Sequence, residues 1–197
     1  MKLSFAAVAA FTFFLAQPAL AGFYIEPGVF YEKGESEINW PVPFAQSSTG
    51  DTEGYGGSLK VGYHNQEKFF MGLEGIYSQP QFKNSVNHYE ADASSSLFGV
   101  VLGTQMTPIG LRIWGGYIFE GTLDPEADNE VDIKFDGARG PKFGLGLKIY
   151  SISVNVEYMD IEYRDTLLEN AGAIGELFES KFKNKTTLIS VSMPLTL

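Results

Sequence analysis

The 197 residues carry 14 lysines and arginines against 24 aspartates and glutamates, a net charge of −10, and no cysteine. That balance argues against nucleic acid as a partner, because phosphate binding needs a basic stripe and none is present. Without cysteine there is no disulfide to brace the fold, so an exported chain of this size must hold itself together by other means.

Met1 and Lys2 open the chain, an apolar run over 3–15 follows with only Ser4 and Thr12 interrupting it, and the segment closes on Ala19-Leu20-Ala21. A positive start, a short greasy stretch and small residues around a cleavage point predict a signal peptide over 1–21. The run is too short to cross a bilayer comfortably as a helix. The mature chain, 22–197, is read as a single domain. It holds no further run of helix-spanning length, so it either dissolves after export or crosses a membrane as strands, the other form that satisfies every backbone group in lipid.

From residue 22 onward the pattern alternates with a period of two, the signature of strands. In the first segment, 22–32, Phe23, Ile25, Pro27, Val29 and Tyr31 share one face, and Gly22, Tyr24, Glu26, Gly28, Phe30 and Glu32 the other. The same alternation recurs over 52–64, 68–79, 93–106, 110–121, 141–150, 152–163 and 185–197. Each segment is long enough for a tilted strand to cross a bilayer, which takes about 9–11 residues, and their number is even. The fold class predicted is all-β, an eight-stranded antiparallel up-and-down transmembrane β-barrel.

The connections alternate too. Those at 65–67, at 107–109 and around Ser151 are tight, whereas 34–51, 80–92, 122–140 and 164–184 are long and polar. Short turns on the periplasmic side and long loops outside are the sidedness of an outer-membrane barrel. The less apolar face carries Glu26, Lys60, Glu74, Arg112, Lys148 and Glu157, three acids and three bases. Charges at that density suit the narrow interior of a small barrel, where they can pair, and not a greasy ligand pocket. These six are the candidate site, read as a salt-bridged filling or as a gate. Trp114 falls on the inward face by parity, unless a bulge turns it outward.

The signal ending, the opening Gly22-Phe23-Tyr24-Ile25, the strand pair 143–148 and 153–158, and the alternating strand 188–197 resemble the small outer-membrane barrel family that includes OmpX and the transmembrane domain of OmpA. The resemblance implies a location in the bacterial outer membrane, contact with its lipid and lipopolysaccharide, and handling by the outer-membrane assembly machinery. Members usually finish on an aromatic residue, whereas Leu197 stands last here. Some eight-stranded relatives deacylate lipid A with a His and a Ser on a lipid-facing strand near the outer leaflet. The two histidines do not suit that role: His64 falls beside a periplasmic turn and His88 in a loop, and both read as solvated surface residues. No catalytic residue, cofactor or metal ligand set is expected, and the barrel is read as a monomer.

The loops offer three further features. An acidic stretch holds Asp124, Glu126, Asp128, Glu130, Asp132 and Asp136 against Lys134, without the glycine and spacing of an EF-hand. It reads as a solvated tip, with divalent-ion binding as the alternative. Thr166-Leu167-Leu168-Glu169 has the form of a capping box, and Leu167, Ala171, Ile174 and Phe178 follow at helical spacing, which predicts a short amphipathic helix on the rim or a docking element for a surface partner. Trp40, Pro41, Val42, Pro43 and Phe44 form an apolar set in the first loop, to which no role is assigned.

Overall fold

The computed structural model describes residues 21–39, 48–65, 68–84, 90–106, 108–126, 133–168 and 181–196. The signal segment 1–20, the apolar set 40–44 and His88 lie outside them.

The strands are β1 (Ala21–Asn39), β2 (Ser48–Asn65), β3 (Phe69–Asn84), β4 (Glu90–Met106), β5 (Leu111–Pro125), β6 (Ile133–Asp136), β7 (Gly140–Ile149), β8 (Ile152–Tyr163), β9 (Asp165–Leu168), β10 (Lys181–Ser192) and β11 (Leu195–Thr196). Every neighbouring pair is antiparallel, and β1, β2, β3, β4, β5, β7, β8 and β10 form a ring that closes where β10 meets β1. Closure leaves no sheet edge and satisfies the backbone without a soluble core. Short β6 and β9 pair with each other above β7 and β8, and β11 continues the line of β10 against the foot of β1. Pro27, which has no ladder N–H to give, sits where β10 breaks into β11, and the Met193 N–H donates to its carbonyl.

The register fixes the stagger. From Glu26 the paired residues run through Lys60, Glu74, Gly99, Ile118, Gly140, Ile161 and Asn184, and return to β1 at Ser36. One circuit therefore climbs from position 26 to position 36, so the strands must tilt, and eight such strands enclose an interior only wide enough for side chains.

Alternation decides what faces lipid. Phe143, Leu145, Leu147, Val154, Val156, Ile189 and Val191 are all exposed on the outer wall, although each is strongly apolar. On β2 the outward apolar set runs from Tyr55 to Tyr63. That is about 27 Å of strand, or ~20 Å of height after tilting, close to the apolar band of an outer-membrane barrel. Above Tyr31 and Tyr55 the outward positions turn charged, with Lys33, Glu35, Glu37, Asp51 and Glu53.

The long loops of the sequence reading are shorter than expected. β1 and β2 run on to Asn39 and from Ser48, and β3 and β4 to Asn84 and from Glu90. Alternation persists there between small inward residues such as Gly34, Ser36 and Thr52 and charged outward ones, so pairing continues without an apolar face to announce it. At the other end the turns are tight. β7 and β8 join through Tyr150 and Ser151, with Tyr150 at φ 56, and Gly110 sits at φ 68 before β5.

Two local expectations fail. The register slips between Phe98 and Gly99 against β5, so Phe119 and Glu120 both point outward, and Glu120 leaves the inward face that its parity gave it. Thr166 does not cap a helix. It is buried in β9 and pairs with Phe135 of β6, so the pairing partner supplied by the folded barrel outweighs the local capping signal. The remaining helix positions Ala171, Ile174 and Phe178 lie outside the described residues.

Candidate functional site

Inside the ring, β1 offers Tyr24 and Glu26, β2 Lys60, β3 Glu74, β5 Arg112 and Trp114, β7 Lys142, β8 Asn155 and Glu157, and β10 Ser190 and Ser192. All are buried, and glycines make room for them: Gly103 and Gly144 for the Trp114 side chain and Gly146 for Asn155.

Arg112 grips Glu26 with both arms of its guanidinium, Nη1 to Oε1 at 2.8 Å and Nη2 to Oε2 at 2.7 Å, while Nη2 also donates to Tyr24 Oη at 2.7 Å. Two parallel charge-assisted bonds fix orientation as well as energy. The same guanidinium lies over the Phe70 ring, 4.8 Å from its centre. Ser192 also donates to Glu26 Oε1, and Asn155 donates to Ser190 and Ser192 at 3.0 Å each.

A second knot lies beside the first. Lys142 Nζ reaches Glu74 Oε1 at 2.7 Å and Glu157 Oε2 at 2.6 Å, and Lys60 Nζ reaches the same two carboxylates at 3.4 and 3.6 Å. Trp114 Nε1 donates to Glu157 at 3.2 Å, and Lys60 stands 5.2 Å from the Trp114 ring centre. Glu26, Glu74 and Glu157 thus meet Lys60, Arg112 and Lys142, so the buried layer is neutral, as burial requires.

Five of the six residues picked from the sequence, Glu26, Lys60, Glu74, Arg112 and Glu157, meet in this layer. Lys148 lies outside this layer. It shares the inward parity of β7 but lies at the strand's periplasmic end, half-buried, six residues from Lys142 and so about 20 Å along the strand. Lys142 is the residue the sequence reading missed. Its signal was present, since it has the parity of Gly144, Gly146 and Lys148, but it sits next to Pro141 at the strand's start.

Two further corrections concern the interior. His64 is not a solvated histidine but lies buried in the lumen, stacked on Tyr24 at 5.5 Å between ring centres and 3.4 Å from Thr196 Oγ1. Its even position on β2 gives it the inward face, which its closeness to the turn had obscured. Nor is the whole interior polar. Phe30, Ile76, Leu97, Ile118, Met159 and Leu188 cap the charged layer, and Leu123, Phe135, Ile161, Tyr163 and Phe182 continue the apolar packing toward the extracellular mouth. In the acidic stretch, Asp124 pairs with Lys134 at 3.7 Å. Glu126 is exposed and Asp136 turns its carboxylate onto the Gly137 N–H, while Asp128, Glu130 and Asp132 lie outside the described residues.

A closed ring of eight tilted strands with an outward apolar band and a neutral charged lumen decides the class. The chain has the fold of a small outer-membrane β-barrel. No family model matches this barrel, and no curated protein matches it in sequence. Among solved structures it is similar to the outer membrane protein OprG from Pseudomonas aeruginosa, with a TM-score of 0.53 and 14% identity over 90% of this barrel and 98% of that chain. It is also similar to the outer membrane protein AlkL as determined in lipid bilayers, with a TM-score of 0.52 and 13% identity over 89% of this barrel and 91% of that chain. At such identities the likeness carries the fold, and the site must be read from this barrel's own residues.

Proposed function

We propose that this barrel is a non-enzymatic surface protein of the outer membrane, with a sealed lumen and with extracellular loops that act in envelope integrity, adhesion or defence. The single observation that carries the reading is the neutral six-residue charge layer spanning the lumen, with an apolar layer packed directly over it. Charges already neutralised by one another offer no field to a passing ion, and a greasy layer above them resists wetting. His64 faces the lumen, which removes it from the lipid-facing position a lipid-modifying catalyst would need. Single-barrel recordings in planar bilayers test the proposal. No steps above baseline are expected, and regular conductance steps would overturn it. Unchanged lipid A acylation in a deletion strain is the matching expectation for the absence of enzymatic action.

One feature favours a narrow channel as the second reading. Lys60 and Lys142 share Glu74 and Glu157, so each lysine can trade one carboxylate for the other without leaving a buried charge alone. A gate needs such interchangeable pairs. Under that reading Lys142→Met opens conductance that the natural barrel lacks, whereas under the first reading the lumen stays shut behind its apolar layer.

A further inference from the structure

Above the charged and apolar layers, the lumen wall made by β1, β2 and β10 becomes polar again, and three of its oxygens stand without partners. Glu32 Oε1, Thr52 Oγ1 and Asn184 Oδ1 are buried and make no hydrogen bond. Glu32 and Thr52 are only 7% and 2% exposed. The register gathers Thr52 and Asn184 around Gly34, which pairs with Thr52 on one side and Thr186 on the other, while Asn184 stands opposite Ser36, the next inward position.

A Cβ on Gly34 would meet Thr52 Oγ1 and Thr186 Oγ1 at 2.7 Å and Asn184 Oδ1 at 2.9 Å. Three oxygens therefore converge over a residue with no side chain of its own. Glu32 is the inward residue before it, about 7 Å along the strand. Ser78 hydrogen-bonds the Glu32 carboxylate, which leaves Oε1 open.

The orphans are alike in what they lack. A carboxylate and an amide carbonyl only accept, and a hydroxyl can accept, so the set calls for a donor or a cation. Hard oxygens of this kind suit an alkali ion or an ammonium group and not a soft metal. Charge sets the valence. Among the described residues of this layer the wall carries one carboxylate and no lysine or arginine, the buried bases of the lumen being spent on Glu26, Glu74 and Glu157 below. Water could fill the hydrogen bonds but would leave Glu32 to bury a bare charge or to take up a proton, whereas a cation compensates the carboxylate directly.

We propose that Thr52, Asn184 and Thr186, arranged over Gly34, with Glu32 one inward position below them, form a binding site for a monovalent cation, an alkali ion or a small protonated amine. The site does not depend on whether the lumen conducts.

Sodium NMR line broadening on the detergent-folded full barrel tests it, with Glu32→Gln and Thr52→Val as near-isosteric variants whose folding is checked by heat-modifiable gel migration. The natural barrel should broaden the sodium line, and both variants should lose most of that excess. Methylammonium chloride should remove it as well, whereas N-methylglucamine chloride at equal ionic strength, too bulky for the layer, should not. Equal broadening by all three proteins would mean a general attraction to an acidic surface and would overturn the site. No excess in the natural barrel would mean that the oxygens hold water, and would overturn it too. If Glu32→Gln fails to fold, the uncharged exchange at Thr52 decides alone.

Discussion

The Trp114 indole on β5 lies against the backbone of Gly144 on β7, in the space that any Cβ at position 144 would claim. The two residues are cross-strand partners, and the missing side chain lets the ring lie flat enough to donate to Glu157. Gly144→Ala should therefore push the ring off its bond. Overpacking of this kind costs about 1–3 kcal/mol. Urea unfolding in lipid vesicles, followed by Trp114 fluorescence in a Trp40→Phe background, should show the lower midpoint and a shifted emission maximum. An unchanged midpoint and spectrum would mean that the ring has room elsewhere.

Lys142 and Lys148 form a natural control, since both are lysines of inward parity on one strand. Lys142 holds Glu74 and Glu157 at 2.7 and 2.6 Å inside a buried layer. Lys142→Met leaves the two carboxylates with Lys60 alone, and breaking a buried pair by removing one partner costs about 3–5 kcal/mol. Lys148→Met, at the half-buried strand end, should cost a small fraction of that. Equal losses in denaturant titrations of the two variants would refute the placement of the charged layer.

That contrast shows where the sequence could be read and where it could not. Parity alone separates Leu145 from Gly144 and Val156 from Glu157, so the two faces, the strand count and five members of the charged layer follow from a period of two. Depth along the strand is another matter. Lys142 and Lys148 look alike in sequence, and only the stagger of the ring says which is level with Glu74. The same limit hid the apolar layer. Phe30, Ile76, Ile118 and Leu188 were inward by parity, yet nothing local shows that they lie at one height and pack together. The bulge at Phe119 and the β6–β9 pairing at Thr166 depend on a neighbouring strand, which no single segment encodes.

Tyr150 carries strain that can be relieved. It is a non-glycine residue at φ 56 in a two-residue turn, and it is almost wholly exposed. Bulky side chains are disfavoured in that region by roughly 1–2 kcal/mol, whereas asparagine tolerates it and suits such hairpin turns. Tyr150→Asn should raise stability by up to about 1 kcal/mol in detergent micelles. In bilayers the gain should shrink, because a tyrosine at the periplasmic rim can also anchor in the interface. A lower midpoint in both environments would show that the anchoring contact outweighs the backbone strain.

Leu145 and Val156 face each other across β7 and β8 on the outer wall, each about half exposed. If lipid covers them, an arginine at Leu145 meets hydrocarbon near the middle of the apolar band, where such a change costs about 2–4 kcal/mol. An arginine at Glu35, on the same outer wall but above the aromatic residues Tyr31 and Tyr55, should cost no more than about 1 kcal/mol, because the penalty fades toward the interface. Refolding into vesicles of defined thickness measures both, and the difference between the positions is the informative quantity. Equal costs at the two depths, or a natural barrel that stays monomeric in buffer without detergent, would mean that protein or water covers the apolar band. The outer wall would then have to be reassigned, and the membrane orientation of the loops with it.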